Sequence, residues 1–92
     1  MVPAHIRALP VSSEDHKLVV DRIDRVFYLR WDRYGADPRL TRAARFAIGR
    51  SRLSTGRSVD GYYTFRTRKI ADQALIVANA AVEEHRLRLL LA

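Results

Sequence analysis

Read at about 100° per residue, Val19, Val20, Ile23, Val26, Phe27, Trp31 and Tyr34 fall within one broad arc. Ser12 and Ser13 precede this stretch, and Glu14 and Asp15 stand in its first turn, where hydroxyl caps and acids suit a helix start. The pattern predicts a helix over 13–34, with Asp21 and Arg25 as an outward i,i+4 pair and Gly35 as the stop. Asp37-Pro38 is a second start signal, a capping Asp followed by Pro at the first helical position. After it, Leu40, Ala43, Ala44, Ala47 and Ile48 gather on one side, and Arg39, Arg42, Arg45, Arg50 and Arg52 on the other. This predicts a second helix over 38–54, with Gly49 as a kink or an end and Gly56 beyond it.

Residues 55–66, TGRSVDGYYTFR, mix loop formers with Tyr62, Tyr63, Thr64 and Phe65, which favour extended structure. A lone strand there has no partner within a helical chain. A third helix is expected from Thr64 or Thr67 to about Leu90, with Ile70, Ala71, Ala74, Leu75, Val77, Ala78, Ala81 and Val82 as its apolar stripe. Asp72, Gln73, Asn79 and Glu83 face outward. Residues 1–11, with Pro3 and Pro10, read as an extended arm. The expected fold is therefore all-α: a three-helix domain over 12–92, an N-terminal arm over 1–11, and a basic loop between helices two and three. The Ala-rich third helix and the apolar ending RLRLLLA add the expectation of a homo-oligomer, a dimer in its simplest form.

Composition narrows the class. Ninety-two residues suit one domain, and 48% hydrophobic with 29% charged residues suits a globular one. The absence of cysteine excludes disulfides, thiolate metal sites and a cysteine nucleophile. The longest uncharged stretch, Gln73 to Val82, has ten residues. A spanning helix needs about 20. No membrane insertion is expected, and MVPAHIRALPVSS lacks the apolar core of a signal peptide, so a cytoplasmic location is the expectation.

The net charge of +7 is unevenly placed. Residues 1–37 carry six cations and six anions, whereas residues 38–69 carry nine cations against Asp60 alone. A GC-rich genome explains why fifteen of the seventeen cations are Arg, but not why acids avoid the central block. A localised excess points to a polyanionic partner better than net charge does.

Catalytic constellations are missing. His5, His16 and His85 form no i,i+4 pair, so no metal-binding helix is expected. Glu83 and Glu84 point to different faces, and no serine stands in a nucleophile-elbow or Ser-x-x-Lys setting. No enzymatic activity, metal or cofactor is expected. LTRAARFAIGRSRLS has the alanine-then-glycine order of a helix-turn-helix, but Ala44 would need its glycine at position 48, which is Ile48. No family is assigned on it. The alanine side of the second helix also inserts weakly into lipid, which argues against membrane-surface binding.

The remaining signal is the basic face. Phe46 falls among arginines, and an aromatic ring among guanidinium groups can stack on a base while Arg forks pair with phosphate. The expected function is non-enzymatic binding of nucleic acid, DNA before RNA, in a regulatory role. The site would comprise Arg39, Arg42, Arg45, Phe46, Arg50, Arg52, Arg57, Tyr62, Arg66, Arg68 and Lys69. The alternative is a small assembly or adaptor protein, of phage or mobile-element origin, docking an acidic protein surface through the same face.

Overall fold

The computed structural model describes residues 16–53, 55–56 and 63–91. The arm expected over 1–11 and the capping serines lie outside the described residues. The first expected helix does not form. Its sequence instead makes a hairpin, β1 (Leu18–Ile23) and β2 (Val26–Trp31), paired antiparallel with Ile23 opposite Val26. Asp24 and Arg25 are the turn. Asp24 sits at φ 53°, a left-handed conformation that Asp tolerates, and the Arg22 Nε–H donates to the Asp24 carbonyl at 3.0 Å. The all-α expectation is thus corrected to α+β, and the physical reason is composition. Between His16 and Gly35 there is no alanine, while Val, Ile, Phe, Tyr and Trp abound, residues whose branched or flat side chains fit a pleated surface.

The register defines two faces. Leu18 opposite Trp31, Val20 opposite Leu29 and Arg22 opposite Phe27 share the inner one. Val19 with Arg30, Asp21 with Tyr28, and Ile23 with Val26 share the outer one. There Asp21 pairs diagonally with Arg30 at 2.8 Å, not with Arg25 as a helix would have required. Ile23 and Tyr34, assigned to the core by the helical reading, are exposed.

A third strand, β3 (Thr64–Phe65), adds to β2, giving the order β1-β2-β3, all antiparallel. Of the residues expected to be extended, Thr64 and Phe65 find a partner in the hairpin, Thr64 opposite Tyr28 and Phe65 opposite Phe27. Gly56 donates its N–H to the Thr64 carbonyl at 2.7 Å, and a Cβ on Gly56 would meet Thr64 Oγ1 at 2.6 Å, so only glycine fits there unshifted.

Two helices cover the inner face. Helix α1 (Pro38–Arg50) starts where Asp37-Pro38 predicts: the Asp37 carboxylate accepts from the Arg39 N–H at 2.9 Å. It runs through Gly49 and ends at Arg50, four residues short of the expected range, with Ser51 as its cap. Leu40, Ala44 and Ile48, at i, i+4 and i+8, are buried. Helix α2 (Arg68–Leu91) is about 36 Å long at 1.5 Å per residue. Thr67 caps it, its hydroxyl accepting from the Ile70 N–H at 3.1 Å. Ala71, Ala74, Ala78 and Val82 form its buried stripe, and the small side chains let α2 lie close to both α1 and the sheet. The core joins Leu18, Leu29, Leu40, Ile48 and Phe65 to this stripe. Trp31 closes one edge, its indole N–H donating to Thr41 Oγ1 at 2.8 Å. Past that core, Leu87, Leu90 and Leu91 at the end of α2 are exposed, while Leu89 packs against it.

Candidate nucleic-acid interface

With Leu40, Ala44 and Ile48 turned inward, the opposite side of α1 is fixed outward. Arg42, Arg45, Phe46, Gly49 and Arg50 are all exposed on it, with Arg52 just past the helix end. Phe46 keeps 66% of its surface exposed, so the ring belongs to the arginine side and not to the core. The guanidinium carbon of Arg50, one turn on, lies 5.3 Å from its centroid. Arg42 stands one turn before the ring.

Two features of this surface are not visible in residue types alone. Gly49 is three residues beyond Phe46, hence its neighbour on the helix surface. Its missing side chain makes room for the Tyr63 hydroxyl, which stands 3.3 Å from where a Cβ on Gly49 would lie. Tyr63 is half-buried and packs against the core, as does Phe65, which is fully buried beneath β3. Arg52 occupies the left-handed region at φ 62°, one position past the helix cap, where glycine is the usual residue.

Charge pairing separates the candidate residues. Arg39 is tied to Asp37 at 2.6 Å, and its guanidinium holds the Asp37 carboxyl below the ordinary carboxylate range. Arg68 pairs with Asp72 at 3.2 Å, one turn along α2. Arg30 is taken by Asp21, Arg86 by Glu83 and Arg88 by Glu84. Among the described residues, Arg42, Arg45, Arg50 and Arg52 have no carboxylate partner, and no acid occurs between Pro38 and Leu53. The structure therefore brings Arg42, Arg45, Phe46, Arg50 and Arg52 together and commits Arg39 and Arg68 to local ion pairs. Arg66 and Lys69 are exposed at the foot of α2. Tyr63 is the contact that links their segment to α1. Arg57 and Tyr62 lie outside the described residues.

His16 and Arg86 serve packing. His16 is buried before β1, where its Nε2–H donates to the Tyr34 carbonyl at 2.7 Å. Arg86 donates to the His16 carbonyl at 2.6 Å and so moors α2 to the segment entering β1. No group of three or more potential metal ligands occurs among the described residues, and none of their helices is long and apolar enough to cross a membrane. The chain matches no protein-family model, and comparison with curated proteins and with solved structures returns no match to it.

Proposed function

We propose that the outer face of α1 binds the phosphate backbone of a nucleic acid without catalysis. One observation carries this reading: where five other arginines have carboxylate partners, Arg42, Arg45 and Arg50 share one face of α1, Arg52 follows just past its end, and none of the four has such a partner among the described residues. Guanidinium groups offer planar forks that match phosphate oxygens, and α1 holds three of them on a rigid element. With four phosphate contacts, the slope of log K against log salt on duplex DNA should be roughly −3.5.

The test is a salt titration of wild type and two charge-matched double variants. Arg42→Gln with Arg45→Gln removes two cations from the face, and the slope should become shallower by about two. Arg25→Gln with Arg88→Gln removes two from the hairpin turn and the end of α2, and the slope should hold. Equal weakening by both would mean attraction by net charge with no defined face. Absence of binding to duplex DNA, single-stranded DNA and RNA near physiological salt would end the proposal in favour of an acidic protein partner.

A further inference from the structure

We infer that this face is built for unpaired nucleotides, one base stacking on Phe46 while its neighbouring phosphates lie on Arg42, Arg45 and Arg50. The inference rests on the nucleic-acid reading above and adds which form of nucleic acid fits. An apolar ring two-thirds exposed at the centre of an all-arginine face contributes little to folding. It also adds nothing to phosphate contact. What it offers is a flat surface, already backed on one side by the Arg50 guanidinium at 5.3 Å. The missing side chain at Gly49, three residues on from the ring, lets the Tyr63 hydroxyl lie against α1, and that hydroxyl can meet the polar edge of a base.

Duplex DNA can use this arrangement only at a cost. A helix with side chains is about 10–12 Å across and an undistorted minor groove about 6 Å wide, so Phe46 could wedge there only after the groove is opened and a base step unstacked. In the major groove the ring meets only base edges, because the flat faces are stacked on their neighbours. Exposing a face costs unstacking, which a single strand does not require. In a single strand every base presents such a face, and stacking on an aromatic ring tolerates any sequence.

The experiment measures affinity by fluorescence anisotropy for a labelled oligo-dT and for a DNA hairpin duplex of equal phosphate number. Wild type should prefer oligo-dT. Phe46→Ala should weaken oligo-dT binding by about 5- to 100-fold, the range for losing one stacked base, and change duplex binding by less than about twofold. Phe46→Trp should retain the affinity and add a fluorescence signal that oligo-dT quenches and the duplex does not. Tyr63→Phe, which removes the hydroxyl beside Gly49, should weaken oligo-dT binding selectively. Loss of duplex and oligo-dT binding in equal measure on Phe46→Ala, or no loss on either, overturns the inference. Unchanged oligo-dT binding by Tyr63→Phe overturns the contact between that hydroxyl and the base. These failures differ from failure of the underlying proposal, in which Arg42→Gln with Arg45→Gln leaves every salt slope unaltered.

Discussion

Two phenylalanines nineteen positions apart should respond to the same substitution in opposite ways. Phe65 has no exposed surface; it lies in β3 opposite Phe27, beneath α2. A buried phenylalanine removes about 150–250 Å² from water, which at about 25 cal/mol per Å² is about 4–6 kcal/mol of transfer free energy. Measured Phe→Ala losses in cores run about 3–5 kcal/mol. In a domain of this size each kcal/mol moves the midpoint by about 4–8 °C, so Phe65→Ala should lower Tm by at least about 15 °C or leave the chain unfolded at room temperature. Phe46 has 66% of its surface exposed, and its one recorded ring contact is with Arg50. Such an exposed cation–π contact contributes about 0.5–1 kcal/mol, so Phe46→Ala should shift Tm by no more than a few degrees. Thermal melts followed by far-ultraviolet circular dichroism compare the two directly. Equal and large losses would mean that α1 is rotated about its axis relative to the structure, and the arginine face would then not be a face at all.

Three other outcomes follow from the same contacts. Asp37→Ala removes the cap of α1 and should cost about 1 kcal/mol at pH 7 by urea unfolding. Because Arg39 lowers the Asp37 pKa in the folded state, that contribution is complete above the unfolded value of about 4 and is lost as pH falls through the folded one; a gap between variant and wild type that does not narrow at all as the carboxyl is titrated below its unfolded pKa would contradict a carboxylate cap. Arg86→Lys keeps the charge but loses the fork that reaches both the His16 carbonyl and Glu83, and should cost about 1–3 kcal/mol; no loss would mean that α2 is not moored there. Arg52→Gly relieves a left-handed backbone by about 1 kcal/mol, so stability should hold or rise while nucleic-acid affinity falls; a clear loss of stability would show Arg52 to be structural.

The hairpin was hidden by its own turn. Inner positions on β1 are even-numbered, Leu18 and Val20, and those on β2 are odd-numbered, Phe27, Leu29 and Trp31. A two-residue turn shifts the parity, so a scan for alternation across the whole stretch cancels, and the apolar residues spread into an arc that resembles a helix. Strand propensity and Asp24, a residue that tolerates positive φ, were the signals on the other side. A helix over 13–34 also leaves the extended-favouring Tyr62, Tyr63, Thr64 and Phe65 without a partner, since β2, with which Thr64 and Phe65 pair, lies inside that range.

Helix α1 was legible because its signals are local: an Asp-Pro start, and alanine and arginine segregated by one period. Its outward face was therefore readable even beside a misread neighbour. What the sequence could not show is which arginines are spoken for. Arg39 and Asp37 are two apart, and only the cap geometry brings their charges within 2.6 Å. Gly49 read as a helix weakness; its neighbour Tyr63 reaches it only because β3 docks on β2 and carries the tyrosine back to α1.

The arginine face is also costly to the isolated protein. Arg42 and Arg45 are three residues apart on one side of α1, with no acid on the helix to offset them. Like charges at this spacing destabilise a helix by about 0.2–0.5 kcal/mol per pair. Gly49 adds a propensity cost of about 1 kcal/mol, and Arg52 the left-handed backbone that glycine would relieve. The repulsion and the Arg52 backbone would each be lessened by an ordinary substitution, whereas Gly49 makes room for the Tyr63 hydroxyl; none improves the packing of Leu40, Ala44 or Ile48, which face the other way. The helix is held by its cap and its buried side, and its outer side is left in a state that a polyanion relieves. Phosphate oxygens seated between Arg42, Arg45 and Arg50 would turn mutual repulsion into charge-assisted hydrogen bonding, and a base stacked on Phe46 would cover the exposed ring.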